Sequence, residues 1–198
     1  GLVVPPTLVA FGVTAFDVRN TVSPEFKEKG SEVVLVPLKR DRWGLPDFAE
    51  LDKNYVRIRE LIEEGRILSA HSVGAGGIAE AISKMAFGNN IGFGFYDNIS
   101  GENLFGPDYG SIILEIKNGQ DLGEMFCEVG HIKLGQTLDE PVISHGSLKL
   151  RLRDALDAWE GTLEDVFPTK APEQGRKREF AGYTGGAKIT PAGKIAKP

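Results

Sequence analysis

The sequence predicts an α/β (α+β) sandwich in which helices cover a mixed β-sheet. Three observations carry this reading. Short runs rich in Val, Ile, Leu and Phe are bounded by turn residues, longer segments place apolar residues at steps of three and four, and the two kinds alternate along the chain. At 198 residues, the length suits one ordinary domain with an appendage.

Taken in order, residues 8–16 and 32–37 read as strands, the second starting after Gly30. Asp47 and Glu50 have the spacing of a capping box, and Phe48, Leu51, Tyr55, Ile58 and Ile62 follow as one apolar stripe, predicting a helix that ends at Gly65. Residues 67–70 form a short apolar run. Gly74, Gly76 and Gly77 then open a helix with Ile78, Ala81, Ile82, Met85 and Ala86 on one face. Residues 91–96 and 112–116 read as strands separated by a polar loop, 98–110, long enough to carry a function. A helix is expected over 121–126 and a strand over 129–134. Ser147 is expected to cap a final helix whose stripe runs Leu148, Leu152, Ala155, Leu156, Trp159, Leu163 and Val166 before Pro168 stops it. The acids of that helix, Asp154, Asp157, Glu160, Glu164 and Asp165, mostly avoid the stripe and read as a solvated face.

Composition narrows the function. There are 23 Lys+Arg against 28 Asp+Glu, a net charge of −5, which excludes a polybasic nucleic-acid binder and a hypercharged disordered chain. No apolar run approaches the roughly 20 residues of a membrane helix, since Pro5, Pro6 and Gly12 break the richest one. The single cysteine, Cys127, cannot form an internal disulfide and reads as a small core residue, so a reducing, cytoplasmic setting is expected. The charge is uneven: residues 169–198 carry a net +5 and are rich in Gly and Pro, leaving −10 on residues 1–168. We read 1–168 as the domain and 169–198 as a linker, and its Arg176-Lys177-Arg178 cluster as a solvated charge run. Gly1 in place of Met points to a piece of something longer.

The stretch most able to carry chemistry is His71-Ser72-Val73-Gly74-Ala75-Gly76-Gly77. Glycines let a ligand approach the backbone, and N–H groups at the start of the following helix suit a phosphate. The spacing is neither that of a Walker loop nor that of the dinucleotide fingerprint, and a tight strand-to-helix turn is the competing explanation. His71 sits at a strand end, where ligand-contacting residues occur, and is the one weak catalytic candidate. His131, inside a strand-like run, and His145, ahead of a helix, lack metal-ligand spacing, and no metal site is expected.

Several segments together resemble the phosphoribosylformylglycinamidine synthase family. They are Val4-Pro5-Pro6-Thr7-Leu8, Ser23-Pro24-Glu25-Phe26-Lys27, Ala70-His71-Ser72-Val73-Gly74-Ala75-Gly76-Gly77-Ile78, Lys84-Met85-Ala86-Phe87-Gly88, Trp159-Glu160 and Leu163-Glu164-Asp165-Val166-Phe167-Pro168-Thr169. The resemblance covers nearly all of 1–168 and is to the C-terminal domain type of the aminoimidazole ribonucleotide synthetase superfamily. The tail ending Pro191-Ala192-Gly193-Lys194-Ile195-Ala196-Lys197-Pro198 resembles the connector to a glutaminase domain, which implies the second of two copies in the large, glutamine-dependent form.

What the resemblance implies is an amidoligase part: conversion of formylglycinamide ribonucleotide to formylglycinamidine ribonucleotide in purine synthesis, with ATP and Mg²⁺ as cofactors of the full-length enzyme. The partners implied are an ATP-binding synthetase domain, the glutaminase domain and a small ribonucleotide. A phosphate or ligand wall is implied at His71, Ser72, Gly74, Gly76, Gly77 and Ile78. The fragment alone is expected to be inactive, to hold no tightly bound cofactor, and to be free to self-associate. One departure stands out: many second copies carry Asp-x-Ser-Asp-Gly-Gly at the turn, whereas this chain is closer to the first-copy pattern His-Asp-x-Gly-Ala-Gly-Gly, with Ser72 in place of the Asp. A metal or proton role for an acid at that turn therefore does not carry over. Two other readings remain open: a pseudo-symmetric structural domain holding an auxiliary nucleotide, and a related synthetase or kinase of the superfamily, which the 159–169 signature and the tail fit poorly.

Overall fold

The structure, a computed structural model, describes residues 8–168; the tail 169–198 and residues 4–7 of the first motif lie outside the described residues. The chain divides after Thr162 into two units. In the described part of the second, 163–168, a turn forms in which the N–H groups of Val166 and Phe167 donate to the Leu163 carbonyl at 3.0 and 2.7 Å.

The first unit is built on a sheet of β1 (Glu32–Val36), β2 (Ile67–Ser72), β3 (Gly92–Phe95), β4 (Ile112–Ile116), β5 (Ile132–Leu138), β6 (Val142–His145) and β7 (Leu148–Arg151). The spatial order is β2-β4-β1-β5-β3-β6-β7. Neighbours are antiparallel except β3 and β6, so the sheet is mixed as expected. Its helices are α1 (Phe48–Glu63), α2 (Gly77–Asn89), α3 (Leu122–Met125) and α4 (Leu152–Gly161).

Alternation along β1 explains the layering. Val33 and Leu35 face the layer of α2, packing with Ile113, Phe93, Leu134, Ile82 and Met85, while Val34 and Val36 face α1 and α3 with Leu114, Ile116, Leu61, Ile58 and Met125. A central strand buried on both faces reads as the continuous apolar run found at 33–36. Two glycines let strands and turns close up: a Cβ on Gly92 would land on the Glu140 carbonyl oxygen, and one on Gly135 on that of Gly94.

Local signals account for the helices. Asp47 caps α1, its Oδ1 accepting from the Ala49 and Glu50 N–H groups at 3.0 and 3.1 Å. The capping box is only half formed, because Glu50 turns to the Lys39 N–H at 2.8 Å. The α2 stripe Ile78, Ala81, Ile82, Met85 and Ala86 is buried throughout, and Asn90, left-handed at φ 54°, ends that helix.

Several expectations are corrected. Residues 8–16 form no strand; Leu8, Phe11 and Val13 are 96, 91 and 99% exposed, because a β-prone run needs a neighbouring strand and none lies beside it among the described residues. The final helix does not start after Ser147. Residues 148–151 pair with β6 as β7, through a turn with Gly146 at φ 56°, and α4 begins at Leu152. The strand expected over 129–134 runs instead from Ile132 to Leu138, leaving His131 just outside it, and His145 lies inside β6 rather than before a helix. Cys127 is exposed, not a core residue.

Beneath the sheet's α2 face lies a buried polar group. The Glu115 side chain, fully buried on β4, accepts from the Lys27 N–H (2.8 Å), the Glu28 N–H (2.9 Å) and the Ser69 hydroxyl (2.8 Å). It thereby ties the segment entering β1 to the edge strand β2. Removing it leaves two backbone donors unsatisfied, so Glu115→Leu is expected to lower the unfolding free energy by about 3 kcal/mol and Glu115→Gln by distinctly less, read by urea denaturation. Equal losses would show that volume, not hydrogen bonding, decides the site.

Candidate functional site

The predicted site residues come together on one turn. β2 is an edge strand that pairs only with β4, with Ser72 opposite Ile112, and the chain leaves it through Val73, whose N–H donates to the Ser111 carbonyl at 2.9 Å. His71 and Ser72 end the strand, Gly74 and Gly76 form the bend, and Gly77 and Ile78 begin α2. His71 is half-buried, its Nδ1 2.7 Å from the Ser72 carbonyl oxygen; Ser72 is exposed. Gly77 and Ile78 are buried, so Ile78 offers the turn only its backbone.

The glycines do different things. Gly77 is left-handed, at φ 72°, and a Cβ there would meet the carbonyl oxygens of Leu104 and Gly106 at 2.5 and 2.6 Å. The long loop 98–110, which contains a 3₁₀ turn over Gly101–Leu104, therefore lies directly against the first turn of α2. Its Asp108 N–H also reaches the Gly74 carbonyl, at 3.4 Å. Gly76 has an ordinary φ, but a Cβ there would stand 2.5 Å from Glu80 Oε2 and 2.7 Å from Glu80 Cβ, an atom that the helix backbone fixes.

Glu80 is the residue that sequence reasoning missed. Its Oε2 accepts from the Gly76 N–H at 2.8 Å and its Oε1 from the Lys84 ammonium at 2.6 Å. A carboxylate thus already occupies the positive end of α2. The Lys84 hydrogen bond first, the Gly76 N–H second, and a weak attraction from His71 hold its pKa below the ordinary 4.5. An acid in the first turn of a helix opened by glycine was the available signal.

The other singled-out residues stand apart from this turn. His145 Nε2 lies 2.7 Å from the Ile99 carbonyl oxygen, and its ring meets Phe95 edge-on. His131 lies against Phe126 at 4.9 Å, and burial, then the Lys133 charge, push its pKa down. Of the acids on α4, Asp154 pairs with Arg151 and Asp157 with Arg153 at the surface. Among the described residues, no three His, Cys, Asp or Glu side chains gather as metal ligands. No helix among them is long and apolar enough to cross a membrane.

A mixed sheet with helices on both faces and a glycine turn at an edge-strand end defines the class of domain. Residues 37–107, which include the whole turn, match the family model described as AIR synthase related protein, C-terminal domain. The chain is also similar to curated proteins named phosphoribosylformylglycinamidine synthase subunit PurL, so the resemblance read from the motifs is shared by the relatives. That of Picrophilus torridus is 29% identical over 179 residues, covering 80% of this chain and 24% of the relative. That of Thermoplasma volcanium is 27% identical over 184 residues, with the same coverage. The chain therefore spans about a quarter of the length of these relatives. Among solved structures, Thermotoga maritima PurLQS aligns at a TM-score of 0.58 with 18% identity, over 70% of this chain and 28% of that one. T. maritima PurL complexed with ATP aligns at 0.55 with 18% identity, over 67% and 26%. These likenesses establish the fold.

Two outcomes follow from the turn. Gly77→Ala combines a strained φ with a backbone collision and is expected to cost about 3 kcal/mol or more, whereas Gly76→Ala, at an ordinary φ but against the backbone-fixed Glu80 Cβ, should cost less, about 1–3 kcal/mol, in denaturant unfolding. Because the folded pKa of Glu80 is lowered, its stabilisation is complete above pH 4.5 and disappears as the pH falls through the folded value. The melting-temperature advantage of the native chain over Glu80→Gln should therefore be greatest near neutrality and close as the pH drops below 4.5.

Proposed function

We propose that this chain is the C-terminal synthetase-type domain of a phosphoribosylformylglycinamidine synthase, the second of two copies. In that enzyme it lends the His71–Ser72 strand end and the Gly74, Gly76, Gly77, Ile78 turn as one wall of a nucleotide or ribonucleotide-phosphate site. The single observation that carries this reading is the turn itself, placed at the start of a 13-residue helix inside the stretch matched by the family model. Relatives support it: solved structures of T. maritima PurL include complexes with ATP and with FGAR.

On this reading the domain is one part of an ATP- and glutamine-dependent amidoligase, with an ATP-binding domain and a glutaminase domain as partners and 169–198 as the connector. Since no three His, Cys, Asp or Glu side chains gather as metal ligands among the described residues, Mg²⁺ on this reading would come with the nucleotide phosphates rather than sit in a cage built by this domain. A cytoplasmic setting belongs to the same reading and is supported by the unpaired Cys127.

A second reading, a structural copy with an auxiliary nucleotide, is favoured by one observation: the Glu80 carboxylate sits on the Gly76 N–H, where a ligand phosphate would bind.

Titration of this chain with ATP·Mg and separately with formylglycinamide ribonucleotide, followed by calorimetry, tests the proposal. A half-site lacking its other domain should bind either ligand only in the ~millimolar range. Micromolar binding of ATP would show a self-sufficient nucleotide module instead. In the complete enzyme, Gly76→Val should depress turnover of the folded protein; unchanged turnover would establish the structural copy.

A further inference from the structure

At the end of the sheet away from the glycine turn, β7 pairs with β6 alone, and all four of its residues are exposed. The outer edge of such a strand presents unpaired N–H and C=O groups, which folded proteins guard with free charges, proline or a bulge. β7 carries two cations, but each is answered within the chain: Lys149 pairs with Glu140 at 3.3 Å and Arg151 with Asp154 at 2.8 Å. Leu148 and Leu150 alternate with them. Leu150 lies opposite Ile143, which packs on the core beneath α2, so both leucines face that side of the sheet. Leu148 is 72% exposed, and the two leucines border an apolar groove of about 380 Å³ whose walls include Phe95, Leu104, Phe105 and Ile143. Phe105 itself is largely exposed.

The same chain carries a strand-prone segment without a sheet. Residues 8–16, Leu-Val-Ala-Phe-Gly-Val-Thr-Ala-Phe, contain no charge and no proline. They make no backbone hydrogen bond among the described residues. Val9, Phe11 and Val13 recur at every second position, so extended backbone places all three on one side. At about 3.3 Å per residue, the nine residues span about 30 Å, more than twice the length of β7.

An open edge with an apolar border and an unpaired, uncharged apolar segment are complementary, and every copy of the chain holds both. We propose that two copies pair by reciprocal strand addition, residues 8–16 of each lying along β7 of the other with Phe11 in the groove beside Phe105. Because each copy gives and receives the same segment, the contact closes at a dimer. Withdrawing Phe11 and Phe105 from water in both copies removes about 600–1,000 Å², at about 150–250 Å² per ring. With the paired backbone added, the interface approaches the roughly 1,200 Å² at which stable ones begin.

Sedimentation velocity of the full chain tests this. The native chain should dimerise with a Kd of about 100 μM or tighter. Phe11→Lys and Leu148→Lys should each weaken the dimer at least about tenfold. Both side chains are exposed, so neither variant disturbs the monomer, and unchanged melting temperatures at low concentration check this. An equimolar mixture of the two variants, which keeps one intact contact of the two, should contain pairs that neither variant forms alone. The proposal is overturned if the native chain stays monomeric at about 500 μM, if it grows into an open series of oligomers, if either variant dimerises like the native chain, or if the mixture forms no pairs. The measurement uses no nucleotide and leaves the glycine turn untouched, so this proposal and the ligand-wall reading can fail separately.

Discussion

A buried carboxyl on β4 governs how this domain is assembled. Glu115 is fully buried, and such a group persists only where donors converge on it. Here they come from two distant places: the Lys27 and Glu28 backbone, and Ser69 on β2. β2 is an edge strand, held along its length by β4 alone, so the extra tie from Ser69 fixes where the strand runs. Because the glycine turn is the continuation of β2, its position against loop 98–110 inherits the precision of that buried contact. On the other side of the same network, Phe26 stacks on Phe93 and its N–H donates to the Met85 carbonyl, joining the entry segment to the core under α2.

The glycine turn combines two demands. Gly77 is a packing necessity, since carbonyl oxygens of the loop stand where a side chain would be. Gly76 is closely packed too, against the Glu80 Cβ, but at an ordinary φ, and its N–H is met by an internal carboxylate, Glu80, tethered in turn by Lys84. A helix N-terminus attracts negative charge whether it comes from a ligand or from the chain. The turn is therefore stable as it stands, and a phosphate arriving there would compete with Glu80 for the same N–H. That competition is the physical content of the choice between a ligand wall and a structural copy.

The apolar residues 8–16 fit the view of a domain that works as part of something larger. They are among the most β-prone in the chain and yet stand exposed, because a strand is stabilised by its neighbours rather than by its own composition. A chain spanning about a quarter of its relatives is where such an unmatched segment is expected.

Much of the layered fold was legible from local pattern. The stripes at 48–62 and 78–86, the Asp47 cap and the strand-turn-helix around residues 67–78 are set by interactions within about five residues, and each lies where periodicity and capping place it. The grouping of His71, Ser72, Gly74, Gly76, Gly77 and Ile78 was legible for the same reason, being one continuous turn. What tertiary structure decided involves partners far apart in sequence. Leu148 read as the start of a helical stripe, but residues 148–151 became a strand because β6 was available to pair with them. Residues 8–16 read as a strand but lacked a neighbour, and Glu50 left its capping box for Lys39. The three-donor site of Glu115 has no local signature at all. Sequence alone determined what short-range hydrogen bonding and the helical repeat dictate; strand pairing, and with it the setting of the glycine turn, was decided by which distant segments the fold brought within reach.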